Sequence, residues 1–459
     1  MATIPQPWLF NWQQIDVASD LDRLKLVLSV LPDEQLVCFL EQRRGNGRDD
    51  YPIRPMWNVL MAGIVFQHAS AASLIRELWR NAELRQLCGF DPLRGMGAAP
   101  TEDAFGRFLA LVVEQRQMLT AIFHRLVEEL GEQLPDLGEK MAVDSKAIAS
   151  FGKPVKDEDK KTEPDDRRDL DADWGVKTYT GKRADKTLWE KVVKWFGYKL
   201  HLLVDSTYEL PLGFKLTKAS VGDSPELLPL IEQLAERHRQ IAGRGRECAA
   251  DKAYDSAENK AELYDQYDIK PVIDHRLMWK ENPGQPRPLF GDRADVFLYD
   301  ELGRVYCQCP SERRGQDEVR ELAFTGFEKD RGTLKYRCPA AFYGFDCAGR
   351  VLCEQGAKVG EYGRIVRAPL ELDRRIFTPI ARHTAKWETA YDRRTAVERV
   401  NARIDRVLGF EQHFIRGQAK METRVTLALV VVLAMALGRI RANQSELMRS
   451  LTAPVRRAA

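Results

Sequence analysis

Hydrophobic and polar positions divide the chain into four stretches. Up to residue 135 the apolar residues fall at helical spacing. The run from Trp57 to Leu130 is rich in Leu, Ala, Arg and Glu and poor in β-branched clusters, which predicts short helices joined by Gly, Pro and Asp turns. Thr101, behind Pro100, reads as the N-cap of one helix, and Gly89 closes another with Pro92 just beyond. At residue 140 the pattern changes. KMAVDSKAIAS reads as a short strand, and residues 156–173 follow with nine acidic and five basic side chains, expected to form a mobile surface loop. Strands are expected at 197–206 and 210–220, around a turn at Thr207, then from 246 to Asp251 and at 269–273; helices lie between the last three. That order makes a mixed sheet with helices on its faces, an α/β class. Beyond residue 275 the pattern breaks into short β-like pieces rich in Gly and Pro, and from Trp387 it is helical again. The longest apolar run, Leu427 to Leu437, reads as a buried helix. The expected boundaries are a helical domain at 1–135, the sheet domain at 136–274 with a charged loop insertion at 156–196, an inserted β-rich subdomain at 275–380, and closing helices at 381–459.

Charge refines this picture. The chain has 70 Lys and Arg against 68 Asp and Glu, a formal +2, which excludes both a wholly basic coat and an acidic disordered chain. Residues 391–459 alone carry 13 basic and six acidic side chains, so polyanion binding becomes plausible there. No stretch reaches the roughly 20 apolar residues of a spanning helix, and no membrane partner is expected. MATIPQPWLFNW does not resemble an export signal, and eight Cys are too few for a disulfide scaffold, so a reduced cytosolic protein is expected.

Three acids stand out by context. Asp144 lies in the first strand of the sheet domain, Asp251 ends a later strand, and Glu398 sits on the helix after the insertion. Carboxylates at strand ends, with one on an adjacent helix, can converge at one sheet edge. Their repulsion then calls for a hard divalent cation, Mg²⁺ or Mn²⁺. Tyr391, Arg394 and Glu398 fall at i, i+3 and i+7, one face of a helix; the plainer reading is an Arg–Glu surface pair. Cys307, Cys309, Cys338, Cys347 and Cys353 could supply four thiolates to a structural Zn²⁺, or be reduced thiols packed as small apolar groups. Cys38, Cys88 and Cys248 read as core residues. The seven His form no metal pattern, and His201 reads as a structural histidine. Trp279 could stack on a flipped base, although packing is the plainer role. No G-x-x-x-x-G-K-S/T sequence is present.

These motifs, in this order, resemble insertion-sequence transposases with a DDE catalytic domain of the ribonuclease H-like fold. PIRPMWNVLMAGIVFQHASAASLIRELWRNAELRQLCGFDP and PTEDAFGRFLALV look like their helical N-terminal domain. MAVDSKAIAS looks like the first catalytic strand, GYKLHLLVDS and the hairpin after it like the next two, and AADKAYDS like the second acidic motif. Y-x-x-R-x-x-x-E, at Tyr391, Arg394 and Glu398, is the most specific match. Many relatives carry a basic residue seven positions after the glutamate; here it is Asp405, with Arg403 and Arg406 beside it. The resemblance implies that Asp144, Asp251 and Glu398 hold two Mg²⁺ or Mn²⁺ ions for in-line phosphodiester cleavage at the ends of an insertion sequence, followed by joining of the freed 3′-OH to target DNA. It further implies that Tyr391, Arg394, Arg403 and Arg406 contact double-stranded DNA. A homodimer on DNA and a cytoplasmic, nucleoid-associated location in bacteria are expected. The alternatives are an inactive DNA-binding derivative and a metal-dependent nuclease that cuts without joining.

Overall fold

The computed structural model describes residues 20–45, 50–154, 167–183, 187–276, 279, 284–291, 297–309, 318–347 and 363–455. Seven helices come first: α1 (Leu21–Leu28), α2 (Glu34–Arg44), α3 (Ile53–Val65), α4 (Ala71–Arg80), α5 (Ala82–Cys88), α6 (Glu102–Glu114) and α7 (Arg116–Gln133). Then come strands β1 (Lys140–Ala149), β2 (Asp173–Lys182), β3 (Leu188–Asp205) and β4 (Leu210–Lys218). Helices α8 (Leu227–Arg237) and α9 (Arg239–Ala242), strand β5 (Glu247–Ala250), helix α10 (Ala257–Asp265) and strand β6 (Lys270–Ile273) follow. Next are the short strands β7 (Arg287–Pro288), β8 (Phe297–Tyr299), β9 (Val305–Cys309), β10 (Glu318–Glu321), β11 (Ala323–Glu328) and β12 (Thr333–Arg337), helix α11 (Pro339–Tyr343) and strand β13 (Ile365–Pro369). Helices α12 (Ala385–Tyr391), α13 (Thr395–Val407) and α14 (Gln418–Arg441) end the chain.

The chain divides into two compact units: Met1–Pro135, Ile148–Tyr198 and Asn401–Ala459 form one, and Asp136–Ala147 with Lys199–Val400 the other. The first unit is helical apart from a β-ribbon. The Thr101 hydroxyl accepts from the Ala104 N–H at 3.2 Å and so caps α6, a contact of the kind worth about 1 kcal/mol. Gly89 ends α5 at φ 97, a left-handed conformation that a side chain resists. Helix α14 is long and apolar enough to cross a membrane by length and composition, yet it is buried inside this unit against α7, α1 and α3. Cys38, expected in the core, is exposed. Leu36, Val37 and Leu40 turn the other face of α2 inward, and residue 38 falls off that stripe. The expected loop at 156–196 also differs. From Asp173 it is the outer part of a long antiparallel ribbon, with Trp174 opposite Phe196 and Lys182 opposite Leu188. Lysines interleaved with Trp, Val and Tyr hid the strand alternation. Of the expected loop at 156–173, residues 156–166 lie outside the described residues.

The second unit holds the central sheet in the order β4-β3-β1-β5-β6. β1 pairs in parallel with β5, and β5 with β6. This is a mixed sheet, with helices α8 and α10 beside it. Met141, Ala142, Val143, Cys248, Ala249 and Ala250 are buried, as short apolar runs in central parallel strands should be. After β6 come a four-stranded sheet, β10-β9-β8-β7, and a three-stranded sheet, β11-β12-β13. They share a core built on Phe297, Val305, Leu334, Tyr336 and Phe377. Trp279 belongs to that core and is 4 % exposed, under the guanidinium of Arg287 at 4.3 Å, so it is not placed to stack on a base.

Candidate active site

Parallel pairing sets the three strand ends in one row. Val143 is in register with Ala250, and Ala250 with Ile273. The next residue on each strand is an aspartate: Asp144, Asp251 and Asp274. Neighbouring strands are about 4.8 Å apart, so consecutive members of this row start from adjacent backbone positions. Such rows at the carboxyl ends of parallel strands are where α/β folds place their sites. β1 continues past Asp144, whereas β5 stops and Asp251 caps a short 3₁₀ turn, Lys252–Tyr254, by accepting from the Ala253 N–H at 2.6 Å.

Glu398 comes to this row on the first turn of α13. Arg394 Nη1 stands 2.7 Å from Glu398 Oε1 and 3.6 Å from Asp144 Oδ2. One guanidinium thus bridges two of the three carboxylates singled out by sequence. Two tyrosines lie in the field of these acids. Burial holds the Tyr254 hydroxyl protonated well above the ordinary phenol range, and the carboxylates of Asp223, Asp144 and Asp251 push the same way. Tyr391 is raised too, first by burial, then by Asp274, with Asp251 adding to it and Arg394 opposing.

The signature Tyr391, Arg394 and Glu398 is not one continuous α-helix. α12 ends at Tyr391, a 3₁₀ turn spans Asp392–Arg394, and α13 starts at Thr395. The three still meet: the Arg394 guanidinium lies 5.8 Å from the Tyr391 ring centre, and Tyr391 stacks on Trp387 at 4.7 Å. Arg382 sits over Trp387 at 5.0 Å and pairs with Asp274. Sequence reasoning missed Asp274 and Arg382. The signal for Asp274 was the end of the strand at 269–273; nothing in the sequence pointed to Arg382.

The other expected residues are placed as follows. His201 is fully buried, its Nε2 3.0 Å from the Thr217 hydroxyl, and burial lowers its basicity, as suits a structural residue. Arg403 donates to the Arg449 carbonyl at 2.9 Å, and Arg406 is exposed. Asp405 sits about 20° around the helix from Glu398, so the missing basic residue would have shared the glutamate's stripe. Cys88 and Cys248 are buried, and burial pushes both thiols up to about 12. Cys307, Cys338 and Cys347 form no disulfide. The Cys309 side chain and Cys353 lie outside the described residues.

Among the described residues no three His, Cys, Asp or Glu side chains stand close enough together to hold a metal ion. Two of the five cysteines of the expected zinc set, Cys353 and the side chain of Cys309, lie outside the described residues. For the acidic row the donor chemistry does fit a divalent cation. Its ligands are carboxylate oxygens, and the positive guanidinium of Arg394 already stands between two of them.

Residues 138–434 match the family described as Transposase DDE domain. No curated protein matches the chain. Three solved chains match, among them the cryo-EM structure of a piggyBac transposase synaptic complex with hairpin DNA. That one is 11 % identical over 96 % of this chain and 87 % of its own, with a TM-score of 0.30. The family match covers well over half of the sequence, from the turn before β1 into α14, and the chain belongs to the transposases with a DDE domain.

Proposed function

We propose that the protein cuts phosphodiester bonds at the ends of an insertion sequence and joins the freed 3′-OH to target DNA. The observation that carries this reading is the row of Asp144 and Asp251 on adjacent parallel strands, with Glu398 linked to Asp144 through Arg394.

Asp144, Asp251 and Glu398 would hold two Mg²⁺ or Mn²⁺ ions. When bound, such ions supply nucleophile activation and charge neutralisation for an in-line displacement at phosphorus. The chain's own groups do the rest. Arg394, paired with Asp144 and Glu398 in the structure, would turn its guanidinium to a phosphate oxygen next to the cut. Tyr391, stacked on Trp387, keeps the arginine's swing within reach of the acids. Arg406 and Arg403, further along α13, take DNA backbone contacts in place of the basic residue that Asp405 replaces. The basic segment 391–459 and the helical residues 1–135 bind double-stranded element-end DNA, with an affinity that falls as salt rises. Bringing two ends together calls for a homodimer on DNA, and the expected location is the bacterial nucleoid.

A strand-transfer assay with duplex element ends and Mg²⁺ tests this. Joined products are expected. Cut but unjoined DNA would make the protein a nuclease, and bound but intact DNA would make it a binding module derived from a transposase.

A further inference from the structure

The turn that presents Asp251 is gripped by residues from the segment beyond β6. Arg276 Nε donates to the Lys252 carbonyl at 3.0 Å and its Nη2 to the Ala253 carbonyl at 3.0 Å. The backbone N–H of Arg276 donates to Asp255 Oδ2, also at 3.0 Å. One residue therefore holds the main chain of the first two residues after Asp251 and the side chain of the fourth. Arg375, 120 residues further on from Asp255, pairs with the same carboxylate. Its carbonyl accepts from Lys260 Nζ at 2.8 Å, and that ammonium stands 2.9 Å from Asp255 Oδ1.

A turn of three residues has no helix behind it to fix its carbonyls, so it needs donors from elsewhere. Here Arg276 supplies them to Lys252 and Ala253, while Arg375, at the far flank of the inserted segment, holds the Asp255 carboxylate. The Asp255 side chain is fully buried and that of Lys260 is 2 % exposed. Charges in such a place persist only while paired, and removing one leaves the others stranded. Asp255 is therefore a fixed anchor rather than an adjustable group. Despite the burial that works against its charge, Arg375 and Lys260 hold its carboxyl below the usual range.

We infer that Arg276, Arg375, Lys260 and Asp255 form a clamp of positioning residues that sets Asp251 level with Asp144, making segment 275–380 part of the frame of the active site. This rests on the proposed function, since it gives the clamp something to position. Residues that orient metal ligands cost metal affinity when removed, without touching the metal themselves.

The test uses the full chain and Mn²⁺, followed by electron paramagnetic resonance. Arg276 is exposed, so Arg276→Ala should fold and melt as the wild type does. Its Mn²⁺ dissociation constant should rise about tenfold. DNA cleavage should fall at limiting Mn²⁺ and recover as Mn²⁺ is raised, with the KM for DNA unchanged. Arg276→Lys, which keeps one donor for the turn, should recover part of the loss. Arg276→Ala with wild-type Mn²⁺ binding and wild-type cleavage would overturn the clamp alone. A wild-type chain that binds no Mn²⁺ would overturn the clamp and the proposed function together.

Discussion

Two clusters of carboxylates and cations occur in the sheet unit, and they are built in opposite ways. In the first, Arg394 bridges Asp144 and Glu398 in the open: the glutamate side chain is 51 % exposed and the arginine 22 %. In the second, Asp255 is sealed between Lys260 and Arg375 with no exposure at all. An exposed ion pair is worth at most about 1 kcal/mol, so water or another ion exchanges with it at little cost. A buried one resists exchange because either partner alone would be left charged in a poor solvent. The difference teaches how to separate a site from a frame. Both clusters pair carboxylates with cations, and only the open one can trade its arginine for a metal or a phosphate.

That contrast can be broken at either end. The largest effect is expected from Asp144→Asn, Asp251→Asn or Glu398→Gln. Each should lower the rate of DNA cleavage by about a thousandfold or more, since each removes several kcal/mol of transition-state stabilisation. Duplex binding, followed by fluorescence anisotropy, should stay close to the wild type. Next comes Asp255→Ala, which strands Lys260. Urea unfolding should show a loss of about 3–5 kcal/mol, a cost none of the three open-site variants should share. Arg394→Ala should sharpen the comparison. It should change stability by less than about 1 kcal/mol, as an exposed pair does. Cleavage should drop about ten- to hundredfold for the lost contact to a charged phosphate. Mn²⁺ affinity should not weaken, because the arginine competes with the metal for the same oxygens.

The smallest effect is on acid stability. Asp255 has a lowered pKa in the folded chain, so its contribution is complete above the unfolded value of about 3.9 and disappears as pH falls through the folded one. The urea midpoint of the wild type should therefore drop below about pH 4, and that part of the drop should be missing in Asp255→Asn.

Much of the open cluster could be read from the sequence, and almost none of the sealed one. Asp144 and Asp251 follow short apolar runs that read as strands, and Glu398 sits in a spaced pattern with Tyr391 and Arg394. Local spacing carried that information. The clamp has no local signal: Asp255 and Arg375 are two charged residues in a chain that is 30 % charged, and their pairing exists only after folding. Asp274 showed only as the end of its strand, since the register that aligns it with Asp251 is a property of paired strands. The ribbon from Asp173 to Gly197 was lost to composition. Its lysines suggested a loop, while Gly175, lying under the Trp195 ring so closely that a Cβ would collide with it, marked a packed strand.

The account stands on carboxylates from three distant parts of the sequence gripping the same cations. Iron cutting tests this most directly: Fe²⁺ takes the same oxygen ligands as Mg²⁺ and, with ascorbate and peroxide, breaks the backbone beside the metal. The full chain should be cut near residues 144, 251 and 398, and excess Mg²⁺ should suppress all three cuts together. Cuts at only one of these places, or cuts that Mg²⁺ leaves unchanged, would contradict it.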